Sequence, residues 1–365
     1  MGPLEGMKII EVGGIGPTPF CGMMLADMGA DVLRIERPKD VDIPELGMGR
    51  HDILARNKRV LRLDIKSDEG KQHLQKLIQN ADGLIEGFRP GVMEKLGLGP
   101  DDCTAINPKL VFGRMTGWGQ EGQLSQAAGH DINYLAMNGV LDMIGRKGEP
   151  PTVTPAQIGD MGGGAMFLAS GMLAGIISAM RTGEGQVVDA AIIDGSALLS
   201  SLVWSIGGKY HWGERGDNLL DGGAHFYGAY VCSDGKYISV GPLETKFYKI
   251  FLDRLGLADD VDFAQQMNPQ NWTEMKEKLA AIFIKKPRDR WAKLFVDSDG
   301  CVFPVLSRYE AQNHPHMVER GVYETVEGVT QPAPAPRFSK TPTKIDHMSG
   351  ADDISADDVL KAWEN

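Results

Sequence analysis

Apolar segments of strand length alternate with helical segments along the first third of the chain, and this alternation restricts the fold more than any other feature. The strand-like segments occur at residues 7–13, 31–36, 60–65, 82–86, 110–115 and, further along, 186–193. Helical stretches lie between the earlier ones, at residues 20–28 and from the predicted N-cap Ser67 to about Asn80. Strands that alternate with helices of this length are typical of a mostly parallel sheet covered by helices. The sequence therefore predicts an α/β fold.

A change of texture after residue 207 indicates a second domain. The chain has 365 residues, a length that allows two or three domains. Residues 207–223 are rich in glycine and have the mixed composition of a linker. From Ala224 onward, two short strands and three amphipathic helices predict a smaller α+β unit, and the proline-rich residues 331–336 predict an extended linker.

The charge balance excludes a broad surface for polyanions. There are 38 Lys+Arg against 49 Asp+Glu, a formal net charge of -11. This balance argues against a nucleic acid or an anionic membrane as partner, but it is compatible with a small anionic ligand in a locally basic pocket. The cysteines are single residues without a C-x-x-C pair, as expected of reduced thiols. Because no secretory signal pattern is found either, we expect a cytoplasmic protein.

Residues 161–180 carry no charge and are long enough to cross a membrane. More than half of these residues are Gly, Ala or Ser, which favour lipid only weakly. The segment therefore predicts a buried core helix whose small residues let neighbouring backbone approach closely.

Two motifs suggest ligands but carry little weight. Gly14-Ile15-Gly16 follows the first strand as in dinucleotide-binding folds, but Pro19 stands where that fingerprint has its third glycine. A plain strand-to-helix turn is favoured over an NAD site. His314 and His316 have no third ligand at a useful spacing, so a surface turn is favoured over a metal site.

Basic residues recur just beyond the predicted strand ends, which is where open α/β sheets bind ligands. The members of this set are Arg34, Arg37, Arg56, Lys58, Arg59, Lys66, Arg89 and, on the following short helix, Lys95. Each alone is typical of a solvated surface. Together they predict a site for a phosphorylated ligand, since arginine binds phosphate through two parallel hydrogen bonds.

Three further side chains are candidates for catalysis. Asp160 precedes three glycines at the start of the apolar helix, so it is an N-cap by default, but the bare backbone N–H groups there would also suit an oxyanion. His130 lies in a polar island inside an apolar stretch, where a lone histidine is usually structural. Glu244 lies near a predicted helix start and is equally compatible with an ordinary first-turn charge.

The combination of four motifs in order is more specific than any one of them. They are residues 114–119 (Arg-Met-Thr-Gly-Trp-Gly), 128–134 (Ala-Gly-His-Asp-Ile-Asn-Tyr), 159–164 (Gly-Asp-Met-Gly-Gly-Gly) and 185–191 (Gly-Gln-Val-Val-Asp-Ala-Ala). With them the chain resembles the α-methylacyl-CoA racemases, within the family III CoA-transferase fold, over nearly its whole length.

The resemblance implies an interlocked homodimer of subunits that each have a large Rossmann-like domain and a small α+β domain. The expected large domain covers residues 1–206 and is completed by 330–365. The expected small domain covers 224–320, with linkers at 207–223 and 321–329. The active site would lie between the large domain of one subunit and the small domain of its partner.

The resemblance also implies roles for individual residues. His130 and Asp160 would be catalytic, with Glu244 oriented onto the histidine. The expected CoA contacts are Arg37, Leu63, Asp64, Ile65, Lys66, Gly87, Phe88, Arg89, Lys95, Gly129, Asp131, Ile132, Asn133 and Tyr134. Lys95 stands where some members carry arginine, so the phosphate would meet a single point charge there.

The implied function is that of a cofactor-independent isomerase of lipid metabolism. It would interconvert (R)- and (S)-2-methylacyl-CoA thioesters by 1,1-proton transfer through an enolate, with CoA as part of the substrate. Two bases, one on each face of the α-carbon, meet this need, although aspartate is a poor base unless burial raises its pKa. We expect the backbone N–H of Asp160 to stabilise the enolate oxygen.

Two alternatives remain open. A CoA transferase of the same fold would use Asp160 as a nucleophile that forms acyl-enzyme anhydrides. A catalytically silent CoA-binding or assembly protein would leave His130, Asp160 and Glu244 unexplained together.

Overall fold

The alternating segments of the first third form one parallel sheet. The computed structural model describes residues 2–38, 51–210, 212–348 and 354–364. The strands of the sheet are β1 (Lys8–Val12), β2 (Asp31–Glu36), β3 (Arg59–Arg62), β4 (Gly83–Glu86), β5 (Val111–Thr116) and β6 (Val187–Ala191). Their order is β3-β2-β1-β4-β5-β6, and all neighbours pair in parallel. The predicted α/β class is confirmed.

Helices cover both faces of this sheet. They are α1 (Pro17–Asp27), α2 (Asp68–Ile78), α3 (Val92–Lys95), α4 (Pro100–Ile106), α5 (Asp131–Met137), α6 (Met166–Thr182), α7 (Ile192–Leu199) and, near the end of the chain, α14 (Ala356–Glu364). Successive residues of a strand point to opposite faces. Ile9 therefore belongs to a core that includes residues of α1 and α6, whereas Ile10 belongs to a second core with residues of α2, α4 and α14.

The uncharged segment spans the second half of a π-helix (Gln157–Ala165) and most of α6, which follows that π-helix directly. This run is long and apolar enough to cross a membrane, and half of its most apolar window is buried inside the protein. A Cβ at Gly175 would lie 2.7 Å from Val111 on the sheet, so only glycine permits this approach. The predicted core helix is confirmed on that face. The opposite face exposes Ile177 and Met180.

A second, smaller sheet lies in the later part of the chain. Its strands β7 (Gly228–Val231), β8 (Tyr237–Val240) and β9 (Val302–Pro304) are antiparallel, in that order. The helices nearby in the chain are α8 (Ser201–Tyr210), α9 (Thr245–Leu255), α10 (Trp272–Phe283), α11 (Arg288–Phe295), α12 (Arg308–Asn313) and α13 (Pro315–Arg320). Aromatic side chains, among them Phe226, Phe251 and Trp291, fill a core of their own.

The chain divides into two compact units. The large unit comprises Met1–Asn138, Thr154–Ser200 and His316–Asn365, and the small unit comprises Gly139–Val153 and Ser201–Pro315. The small unit thus takes in residues 139–153, which we expected in the large domain. Arg215 explains why, because its guanidinium donates to the Asp142 carboxylate at 2.6 Å.

The expected linkers contain regular structure. Helix α8 extends into residues 207–210, and the expected return linker 321–329 includes a strand of the hairpin β10 (Tyr323–Val326) and β11 (Val329–Pro332). Arg56 ties this hairpin into the large unit, since it donates to Gln331 Oε1 and to the carbonyl of Pro332, both at 2.8 Å.

Candidate active site

The carboxyl edge of the parallel sheet collects most of the predicted ligand-binding residues. Arg37 directly follows β2, residues 63–66 follow β3, and residues 87–89 follow β4. Parallel strands end at the same edge, so these segments are neighbours there. Leu63 and Asp64 also line an open cleft of about 550 Å³ with residues 354–356.

Ion pairs remove part of the predicted basic set from ligand binding. Arg56 donates from Nε to Asp27 Oδ1 at 3.0 Å, and Lys58 Nζ lies 2.6 Å from Glu11 Oε2, with all four side chains buried. A buried charge must be paired, so these residues serve the fold. Arg59 likewise pairs with a carboxylate of the large unit.

Four members of the basic set remain accessible. Arg37, Lys66, Arg89 and Lys95 are all exposed. In the described part of the chain, none of them pairs with a carboxylate. These four are the cations predicted to contact CoA. They are suited to bind an anion because, among the described residues, no carboxylate competes for them.

Phe88 joins the loop after β4 to the glycine-rich turn after β1. Its ring lies against Gly13, where a Cβ would come within 2.5 Å of the ring. Gly13, Gly14 and Gly16 all have positive φ, which favours glycine. The Phe88 ring therefore fills the space beside this turn. Pro17 at the first position of α1 also lacks an N–H group, so the structure gives no support to a dinucleotide phosphate site here.

Glu86 fixes the backbone of the same loop. Its carboxylate is fully buried at the end of β4 and accepts the N–H of Phe88 at 2.7 Å and Nε of Arg114 at 3.0 Å. Arg114 also donates to Glu94 Oε1 at 2.6 Å. Burial raises the pKa of Glu86 to about 7, although both hydrogen bonds oppose the shift. The sequence signal for this residue is a lone charge that ends an apolar strand.

Asp160 lies inside the π-helix and is not an N-cap, which corrects the default expectation. The helical run begins three residues earlier, at Gln157, and its cap is Ala156 in the left-handed region. The Asp160 carboxylate lies above Gly16, at the start of α1, and a Cβ there would be 3.3 Å from Oδ2. The side chain thus faces the turn at the carboxyl edge of the sheet.

The backbone N–H of Asp160 donates to Oδ1 of Asp131 at 2.8 Å. This contradicts the expectation that this N–H group is free for an enolate oxygen. The reason is steric as well as polar, because Gly159 has no side chain and lets the Asp131 carboxylate reach the helix backbone. No motif predicts this contact, since the two residues are 29 positions apart.

The carboxyl group of Asp160 is a stronger base than an ordinary aspartate. Burial raises its pKa to about 6; the charge of Asp131 adds to the increase, and His130 opposes it. His130 therefore lies within electrostatic reach of Asp160. At neutral pH the carboxylate is ionised, yet its pKa is close enough to neutrality for proton exchange.

His130 is the N-cap of α5, and its side chain is exposed. Its backbone N–H donates to Asn133 Oδ1 at 3.1 Å, which fixes the start of the helix. Tyr134 is buried, and its hydroxyl donates to the carbonyl of Gly129. Ile132 is exposed, as is Asn133, whereas Asp131 is buried. The predicted segment thus combines solvent-facing and internal residues.

Glu244 belongs to the small unit. It is the N-cap of α9, where its carbonyl accepts the N–H groups of Phe247 and Tyr248 at 3.0 and 2.9 Å, and its side chain is exposed. Within the described residues, no cluster of three or more His, Cys, Asp or Glu could hold a metal ion.

Comparisons with known proteins agree with this architecture. Residues 4–351 match the model of CoA-transferase family III. The chain is 43% identical over 341 residues to the α-methylacyl-CoA racemase of Mus musculus and 42% identical over 343 residues to that of Homo sapiens, with 93% of this chain and 87% of each relative covered. The crystal structure of a CaiB/BaiF family protein from Brucella suis superposes with a TM-score of 0.81 at 23% identity over 99% of both chains. The chain belongs to CoA-transferase family III.

Proposed function

We propose that this protein is an α-methylacyl-CoA racemase, an isomerase that interconverts (R)- and (S)-2-methylacyl-CoA thioesters. The racemases of mouse and human, similar over nine-tenths of the chain, support the reaction class. The observation that carries the chemistry is the Asp160 carboxyl, whose pKa is raised to about 6 within electrostatic reach of His130. A proton transfer between two faces of one carbon requires two acid–base residues close together, and it is fastest when their pKa values lie near neutral pH.

The proposed reaction has two proton transfers at C2 of the acyl group. One of the pair His130 and Asp160 removes the C2 proton, and the bonding electrons move into the thioester to form an enolate. The other residue then donates a proton to the opposite face of C2. For the reverse direction the two exchange roles. The transfers use side-chain groups alone, so we propose that no further cofactor takes part.

The CoA part of the substrate would bind along the carboxyl edge of the sheet. Arg37, Lys66, Arg89 and Lys95 offer four accessible positive charges to its phosphates. The loop after β4 presents its backbone beside them, held by Glu86. The net charge of -11 disfavours long-range attraction of the anionic substrate, so short-range contacts must provide the affinity.

We further propose that the active protein is an interlocked homodimer in which Glu244 of the partner subunit orients the imidazole of His130. Support comes from the apolar side chains that α6 leaves exposed, Ile177 and Met180 among them. Residues three positions apart lie on one face of a helix, where a partner subunit would cover them. All four cysteines are free thiols, which supports the proposed cytoplasmic location.

The alternative function is CoA transfer with Asp160 as nucleophile, the chemistry after which the family is named. Partial exposure of Asp160 is compatible with that role. A transferase, however, has no evident use for a histidine that acts on this same carboxyl. We therefore favour the racemase.

Deuterium incorporation separates the two functions. (S)-2-methylacyl-CoA is incubated with the protein in D2O without any acceptor acid, and C2 is analysed by NMR and chiral chromatography. A racemase yields both enantiomers with deuterium at C2. A transferase leaves C2 unlabelled, and moves CoA to a carboxylate only when one is added.

A further inference from the structure

The side chain of Asp131 is turned into the protein. We expected it to bind CoA, yet its side chain is 7% exposed and its Oδ1 accepts the backbone N–H of Asp160 at 2.8 Å. A Cβ at position 159 would collide with this oxygen, so Gly159 is needed for the approach. The carboxylate is therefore built into the backbone that carries Asp160.

The second oxygen of Asp131 is unusual. Oδ2 is buried and has no hydrogen-bond partner among the residues that the structure describes. A buried carboxylate with an unpaired oxygen costs free energy, and an asparagine could make the same bond to Asp160 without a charge. A purely structural role thus does not explain why the residue is an acid.

We propose that Asp131 is a positioning residue for Asp160: it anchors the backbone of the π-helix, and its negative charge makes the Asp160 carboxylate a stronger base. This inference rests on the proposed function, in which Asp160 exchanges a proton with C2. Burial of the unpaired oxygen and repulsion between the two carboxylates both lower the free energy of unfolding, so the arrangement favours catalysis and not stability.

The surroundings of Asp160 support this assignment. Of the charged groups on neighbouring elements, Asp131 raises its pKa and His130 lowers it, with burial as the largest cause of the increase. Tyr134, also on α5, senses the charges of Asp160 and Arg89, and its own pKa is raised mainly by burial. The neighbours that α1, β5 and α7 present to the glycines after Asp160 are not titratable: Pro17, Met115, Ile192, Ser196 and Leu199. Asp131 is therefore the one anionic group that acts on Asp160 among the described residues.

The test compares Asp131→Asn with the wild type across pH. Asparagine keeps an oxygen acceptor for the Asp160 N–H, and it replaces the unpaired, charged oxygen by a neutral NH2 group. For the wild type, kcat/KM for C2-proton exchange should fall below about pH 6, where Asp160 becomes protonated. The variant lacks the charge that raises the pKa of Asp160. The acidic limb of its pH profile, the pH range in which kcat/KM falls, should therefore move down by about one pH unit. Asp194→Asn removes an exposed carboxylate from α7 and should leave the limb in place.

An unchanged limb in Asp131→Asn, with a higher KM for the thioester, would overturn the inference in favour of a CoA contact. If this variant does not fold, Asp131→Ser removes the same charge and keeps a hydrogen-bonding oxygen. A second readout is independent of turnover: the Asp160 carboxyl is titrated by ¹³C NMR and identified by its loss in Asp160→Asn. Its pKa should be near 6 in the wild type and lower in the neutral Asp131 variant. Equal values in both would reject the coupling, whereas a wild type without C2 exchange would reject only the proposed function.

Discussion

Single basic residues of this chain divide into two classes that the sequence alone does not separate. Lys58 and Lys66 both flank β3, but Lys58 is buried against Glu11 whereas Lys66 is exposed. The difference arises from contacts 47 positions apart in the sequence. A position beside a strand end therefore identifies the exposed cations, but it also selects buried cations that serve the fold.

The buried pair makes a prediction about stability. Lys58→Met leaves the Glu11 carboxylate buried with only the more distant Arg34 Nε, at 3.8 Å, as a cation beside it. We expect the free energy of unfolding to fall by about 3 kcal/mol, the low end for a broken buried pair. Urea denaturation measures this free energy of unfolding. The matched control is Lys147→Met, which removes an exposed lysine 2.7 Å from Asp217 and should change little. If Lys58→Met were as stable as the control, the pair would not hold β3 to the core.

At the scale of elements, the loop after β4 is held by one buried side chain. Glu86 uses both oxygens, one for Phe88 N–H and one for Arg114, and glutamine offers only one acceptor. We expect Glu86→Gln to raise KM for the CoA thioester about 10-fold, because the loop loses one hydrogen bond, and to change kcat less. Glu94→Gln alters the exposed partner of the same arginine and serves as control. Equal KM values in the two variants would contradict the role of Glu86.

The sequence predicted the parallel strands and the helices with a clear apolar stripe, but it missed α5. All six parallel strands were expected, because each is an apolar run bounded by turns. Helix α5 was not expected, since seven residues with an exposed Asn133 and a buried Asp131 show no helical stripe. The catalytic candidates came from motif order, whereas the Asp131–Asp160 contact needed the fold that brings α5 to the π-helix.

At the scale of the whole molecule, the proposed dimer determines whether one chain contains a complete site. We expect sedimentation to give about twice the chain mass of 39.7 kDa. Charges placed on the exposed face of α6, as in Ile177→Glu with Met180→Glu, should shift the protein toward monomer and lower activity in parallel. Val261→Glu changes an equally exposed apolar residue of the small unit and is the control. A fully active monomer would contradict the shared site.

The most direct test of the central claim, two bases on opposite faces of C2, is exchange catalysed by Asp160→Asn with each enantiomer in D2O. The asparagine variant should lose racemisation by at least about 10²-fold, the usual contribution of a positioned acid or base. It should still exchange the C2 proton of the one enantiomer that His130 can reach. Racemisation of both enantiomers at the wild-type rate would contradict the account.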